Sequence, residues 1–196
     1  MQRKKFDTIV TALGLFLAVA FAAIGGLLTW GGTFANNTVH DQLAAQKITI
    51  PPMASGALDD PKIKPYLEKY AGQQMTTGAQ AEAYADHFIG VHVTYIAGGK
   101  TYSEVSGDQM AMAAQLKVDP TNKALLAQNA VLTGQKQTLF MGETLRGMLL
   151  NAYAFSIFGQ IAIYSSYAAY AAAVILFGLA LLGWRHAAKV DPRVRM

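Results

Sequence analysis

Two charge-free apolar runs, one toward each end of the chain, constrain this sequence more than any other feature. From Thr8 to Ala35 it reads TIVTALGLFLAVAFAAIGGLLTWGGTFA, roughly 28 residues without Asp, Glu, Lys or Arg, where a membrane-spanning helix needs about 20. The second run, Gly147 to Trp184, is roughly 38 uncharged residues long. As one helix it measures about 57 Å, against a hydrocarbon core of about 30 Å. Charged residues make up 14% of the 196-residue chain and hydrophobic ones 53%. A soluble domain carries about a quarter charged residues, so the balance points to a membrane.

The basic residues set the expected orientation. Arg3, Lys4 and Lys5 precede the first run, and Arg185, Lys189, Arg193 and Arg195 follow the second. Lys and Arg close to span ends mark the cytoplasmic side, so both ends are expected inside the cell and the number of spans even. A secretory signal also has basic residues before an apolar core. That core is only about 7–15 residues long, so the first run reads as a retained span. Splitting the second run into two spans would need a reversal near Tyr164-Ser165-Ser166-Tyr167, which offers no Gly, Pro or Asn. Trp30, Tyr164, Tyr167 and Trp184 then fall where aromatic belts are expected.

The expected fold is mainly α and membrane-embedded: two transmembrane helices flank a small helical extracytoplasmic domain, and the second helix extends outward. In residue terms this means a cytoplasmic N-terminus (1–7), transmembrane helix 1 (8–35), an extracytoplasmic domain (36–138), an outward helical extension (139–163), transmembrane helix 2 (164–184) and a cytoplasmic C-terminus (185–196). The location is the plasma membrane, with membrane lipids as neighbours. The net charge of +4 resides largely in the tails, so no nucleic-acid partner is expected.

In the first span Gly14, Ala18, Ala22 and Gly26 recur every fourth residue, a spacing that lets another helix backbone approach closely. Ala162, Ser165, Ser166, Ala169, Ala172 and Ala173 offer small residues in the second. The two spans pack on each other, or on the helices of another protein. Neither run holds a His, Asp, Glu, Lys or Arg in its interior, and haem ligation, proton relay and ion conduction normally use such residues at depth. The spans read as anchors.

Between them, Lys47-Ile48-Thr49-Ile50 is a short extended piece ended by Pro51-Pro52. Residues 53–78 read as mostly loop around a short helix near Lys64–Tyr70. The clearest element is a helix from about Gly78 to Ala97, with Thr77 and Gln80 as a capping box and Gly98-Gly99 as the stop. On it Ala81, Ala85, Phe88, His92 and Tyr95 share one face. Asp108 is the expected cap of a second helix to about Lys117, and Asp119-Pro120 the expected start of a third to about Leu132. Thr133–Thr138 reads as either a hinge or a continuation into the final helix.

Catalytic chemistry is hard to place. The chain has no cysteine, which excludes disulfides, cysteine-ligated iron–sulfur clusters and thiolate zinc sites. His87 and His92 stand five apart, about 140° around an ideal helix, whereas a metal on one helix favours ligands four apart. Asp86 or Glu82 completes a two-histidine, one-carboxylate set only if the chain bends. His92 reads as a core or interface histidine. No phosphate loop, nucleophile elbow or metalloprotease motif is present. Gly98-Gly99-Lys100-Thr101 follows a helix and lacks the first glycine of a P-loop. No catalytic, cofactor or metal residue is therefore assigned.

The most informative segment is Thr144–Tyr164, TLRGMLLNAYAFSIFGQIAIY. With the span proper beginning near Tyr164, this stretch stands above the hydrocarbon as a helix rich in large apolar side chains. Such a helix needs a cover, expected to be its own domain on one side and a partner on the other. The partner-binding candidates are accordingly Met148, Leu149, Tyr153, Phe155 and Phe158, together with Gly14, Ala18, Ala22 and Gly26.

The strings QLAAQKITIPP (42–52), HFIGVHVTYIAGGKTYSEV (87–105) and TLRGMLLNAYAFSIFGQIA (144–162) resemble those of a family of small actinobacterial two-pass membrane proteins, with the flanking spans in the same order. The resemblance covers most of the chain. It implies fold and topology, not an activity. Many members carry the label "aromatic ring-opening dioxygenase", but such an enzyme needs an iron site and a substrate pocket, and neither is legible in these residues. Small two-pass proteins in such bacteria occur as accessory subunits of large membrane assemblies. The resemblance thus points to integral membrane partners, first among them the cytochrome bcc and oxidase subunits of the respiratory supercomplex. The alternative is an extracytoplasmic ligand-, lipid- or metal-binding protein using His87, His92, Tyr84 and Tyr95.

Overall fold

A computed structural model describes residues 3–190; Arg193 and Arg195, expected in the basic tail, lie outside the described residues. The described chain is mainly helical, without strands beyond one isolated bridge, Thr49 with Gln74. Two long helices dominate: α1, Arg3–Gln46, and α6, Lys123–Lys189. Both are long and apolar enough to cross a membrane. Only 11% of the most apolar window of α1 and 22% of that of α6 is buried, whereas the core helix of a water-soluble protein is mostly covered.

α6 runs without interruption, so Tyr164–Tyr167 makes no reversal and Thr133–Thr138 is helical continuation. It starts at Lys123, later than Asp119-Pro120. Asn122 is the cap, its side-chain oxygen accepting from Ala124 N at 3.1 Å and Leu125 N at 3.2 Å. α1 likewise continues past Ala35 to Gln46. The chain divides into two compact units, Thr38–Ser156 on the one hand and the flanking α1 and α6 segments up to Asn37 and from Ile157 on the other.

In the unit Thr38–Ser156, a 3₁₀ turn (Met53–Ser55) and the short helix α2 (Lys64–Leu67) lie in the expected loop region. α3 (Gly78–Ala83) opens on the expected Thr77–Gln80 capping box: Gln80 N donates to Thr77 Oγ1 at 3.3 Å and Thr77 N to Gln80 Oε1 at 3.1 Å. A π-helical turn (Tyr84–Ile89) then leads into α4 (Gly90–Ile96). Gly98 (φ 63°) and Gly99 (φ 89°) end it in the left-handed region, where only glycine is unstrained.

The π turn corrects the expected helix face. It adds one residue to a turn, so that while Phe88 still packs on a core cluster, the inward row beyond it runs through Ile89, Val93 and Ile96 instead of His92 and Tyr95. Val93 is buried while His92 and Tyr95 are exposed; His92 is not a core histidine. α5 (Tyr102–Val118) also begins earlier than Asp108. Its cap is Thr101, in a second capping box with Glu104; Asp108 instead pairs with Lys100 at 2.6 Å.

The core of this unit is three small clusters. Val39 and Leu43 of α1 pack with Met75, Ala81, Ala85 and Leu149. Ile50, Leu58, Ile63, Leu67 and Ala83 make the second; Val93, Val105 and Leu139 make the third. Both ends of the domain sequence are thereby tied to α1 and α6, which supplies the packing that disulfides give other small domains.

Candidate functional site

α1 and α6 meet along a row of residues with missing or short side chains. A Cβ at Gly32 would stand 2.7 Å from the Gly159 carbonyl oxygen, and one at Gly159 would stand 3.1 Å from that of Gly32. One at Gly25 would meet the Tyr170 ring at 2.7 Å, and Tyr170 Oη lies 3.2 Å from Thr29 Oγ1. Gly14 faces Ala180 and Gly183 faces Thr11, completing the register. At 100° per residue Gly14, Gly25 and Gly32 fall within about 20° of one another, whereas Gly26 is about 120° from Gly14. The four-residue repeat therefore winds off the contact face. Gly14 and Ala18 face α6, while Ala22 and Gly26 remain exposed.

In the other unit the segment of α6 from Leu139 to Ser156 has two faces. Leu139, Leu149 and Ser156 are buried, and Tyr153 is half-buried, its Cα 3.2 Å from where a Gly78 Cβ would stand. The opposite face carries Met141, Leu145, Met148 and Phe155, exposed by 48%, 51%, 67% and 54%. At helical spacing these four lie within about 80° of arc, an apolar strip in which Ala152, between Met148 and Phe155, leans back on the unit's own core. Of the partner candidates, Leu149 thus belongs to the unit's own core and Met148 and Phe155 to this strip. Phe158, in the other unit, is 65% exposed.

Arg146 fixes how this segment sits on its domain. Its Nε donates to the Ala85 carbonyl at 3.1 Å, one Nη to Asp86 at 3.1 Å and the other to Glu143 at 2.9 Å. Burial opposes its charge, but the two carboxylates outweigh that and hold the guanidinium above its ordinary pKa. Gly90 makes room for it: a Cβ there would stand 3.2 Å from Nε. Arg146 thus ties α6 to the π turn, where the carbonyl ladder is out of step with an α-helix. Beside it lies an open hollow of roughly 270 Å³ edged by Lys62, Asp86, Thr94 and Tyr95. Each guanidinium nitrogen already donates to an acceptor within the chain.

The histidines are held by aromatic neighbours. His87 stacks on Tyr66 with ring centroids 3.4 Å apart. His92 Nδ1 is 2.7 Å from the Phe88 carbonyl and its ring tilts over Phe88. Among the described residues no three His, Asp or Glu side chains converge as a metal-ligand set. Tyr95 Oη donates to Asp60 at 3.0 Å. The Asp60 carboxylate is held below its ordinary pKa by the Lys62 backbone N–H, then by that Tyr95 hydroxyl. Burial pushes the Tyr84 phenol up.

No protein family, curated protein or solved structure matches the chain. The resemblance drawn above therefore stands on its three strings alone, and the site is read from its own geometry.

Sequence reasoning missed Gly25, Gly32 and Gly159 as the close-approach positions, and Arg146 as the clamp. A seven-residue spacing from Gly25 to Gly32 was a signal available for the first. The π turn left none.

The capping box of α5 yields a pH prediction. Glu104 is held below its ordinary pKa of 4.5 by the Thr101 backbone N–H and then its hydroxyl. A lowered folded-state pKa means stabilisation that is complete above the ordinary value and lost as pH falls through the folded one. Amide protection over residues 102–106, taken relative to the intrinsic exchange rate at each pH, should therefore fall on acidification below about pH 4. Glu104→Gln keeps the box in uncharged form and should flatten that acid limb; an unchanged limb would remove Glu104 from the cap.

Proposed function

We propose that this chain is a two-pass plasma-membrane protein with both ends cytoplasmic and Thr38–Ser156 outside. Its role is that of a non-catalytic accessory or assembly subunit of a larger membrane complex. The observation that carries the reading is the strip Met141, Leu145, Met148 and Phe155. It lies on a helix whose other face already packs into its own domain, in a unit that also has a polar surface. An apolar strip of that kind is stable when covered by a partner. The low burial of both apolar windows supports the membrane location, and the basic residues beside each span support the orientation. The closed α1–α6 interface leaves the outer faces of the pair for other integral subunits. The assembly to test first is the cytochrome bcc–oxidase supercomplex, on the strength of the resemblance.

The test is a pull-down in mild detergent through a C-terminal tag, read by mass spectrometry and visible absorbance. Oxidase and bcc subunits with haem bands are expected. Met148→Asp and Phe155→Asp, both at exposed positions, should each reduce that capture at least about tenfold, as loss of an interface anchor does, with unchanged helicity. A different set of membrane subunits would remove the respiratory assignment. Capture of the same subunits undiminished by either substitution would remove the strip as the docking surface.

A further inference from the structure

At the basic end of the helix pair, α6 carries a shallow groove of roughly 810 Å³ that no other element among the described residues covers. Its floor is Gly178, where a Cβ would meet nothing within 4 Å. Val174 and Leu181 form one wall, Ile175 and Leu182 the other, all about 40–60° to either side of Gly178 around the helix axis. Arg185 lies within about 20° of the same line and about 10 Å further along, below the open end of the groove. Trp184, 66% exposed, stands beside it.

The surrounding charge is predominantly positive. Gly183 is opposite Thr11, and His186 Nε2 is 3.9 Å from Asp7 Oδ2, so the N-terminal turn of α1 lies at this same end. Among the described residues, Arg3, Lys4, Lys5, Arg185 and Lys189 are all exposed there, against the single carboxylate of Asp7. An apolar channel that ends on a guanidinium, beside an indole and among four further cations, is complementary to one class of molecule. That molecule has a long alkyl chain, a polar linkage at indole depth and a negatively charged phosphate.

We propose that this groove is a binding site for an anionic phospholipid. One acyl chain runs along the Gly178 floor between the two walls, and the headgroup phosphate accepts hydrogen bonds from Arg185. Guanidinium suits this role because its planar fork matches phosphate oxygens and is more weakly hydrated than ammonium. Trp184 is placed for its indole N–H to donate to an ester carbonyl at the interface. This inference rests on the membrane location proposed above.

The experiment uses the full-length chain with Trp30→Phe, leaving Trp184 as the one tryptophan, in phosphatidylcholine nanodiscs. Phosphatidylglycerol or phosphatidylcholine brominated on the upper acyl carbons is added, and quenching of Trp184 is read. Brominated phosphatidylglycerol should quench equally at about a fifth of the mole fraction, the enrichment one interfacial basic residue supplies. Arg185→Gln should abolish that preference, and Gly178→Leu should abolish it by filling the floor. Lys189→Gln should leave most of it. Equal quenching by both lipids overturns the site while leaving the membrane location intact. Equal losses in Arg185→Gln and Lys189→Gln overturn it too, since diffuse surface charge then accounts for the preference. Quenching by neither lipid overturns the site and the membrane location together.

Discussion

Replacing Gly32 with leucine is expected to break the α1–α6 pair and to lower the stability of the full-length protein by about 3 kcal/mol, the upper end of overpacking costs. The reason is the identity of the obstructing atoms. A Cβ at this position meets the Gly159 carbonyl oxygen at 2.7 Å and Ile163 Cγ1 at 2.8 Å, and a backbone oxygen cannot rotate out of the way. The helices must separate, and the approach of Gly159 to the Gly32 carbonyl is lost with them. Gly31 is the internal control: a Cβ there meets nothing within 4 Å, so Gly31→Leu should stay within about 0.5 kcal/mol of the parent. Thermal unfolding followed by circular dichroism in one detergent compares the two. Equal midpoints for the leucine variants would show that this pair is not closed at Gly32.

Arg146→Met should be the most damaging substitution of a charged side chain in the unit Thr38–Ser156. It removes the donor to the Ala85 carbonyl and the cation facing Asp86 and Glu143. The expected loss is about 2 kcal/mol, short of the 3–5 kcal/mol of a fully buried pair. The discount follows from exposure, since the Asp86 side chain is 37% exposed and regains water. Arg146→Lys should recover less than half, because an ammonium on a flexible stem does not span three acceptors in fork geometry. The specific readout is amide exchange over residues 84–92. If Arg146 holds the π turn, protection there falls before it falls in α5. A uniform loss across the unit would make Arg146 an ordinary stabilising contact. Adding Asp86→Asn to Arg146→Met should restore part of the stability by removing the stranded carboxylate.

The elements legible in the sequence were those governed by local chemistry. Thr8–Ala35 and Gly147–Trp184 were legible as helices because uncharged apolar runs of that length far exceed a strand. Thr77 with Gln80 and Gly98-Gly99 marked both ends of the α3–α4 stretch, because capping and left-handed stops act within a few residues. Thr101 with Glu104 carried the same signal, and reading Asp108 as the cap passed over it.

The parts decided by tertiary structure were those that depend on helix phase. The π turn at Tyr84–Ile89 moved the buried row from His92 to Val93, and it is stabilised by Arg146, some 60 residues away along the chain, so no local pattern encodes it. The small-residue row of α1 followed the same logic. A spacing of four winds off the contact line, and the residues that meet α6 are those whose angular positions repeat, Gly14, Gly25 and Gly32. Composition and local periodicity determined that this chain makes two long apolar helices, with a stretch of short helices between them in sequence. Which side chains those helices close upon each other, and which they leave exposed, was set by the rotation of each helix about its axis. Long-range packing alone fixes that rotation.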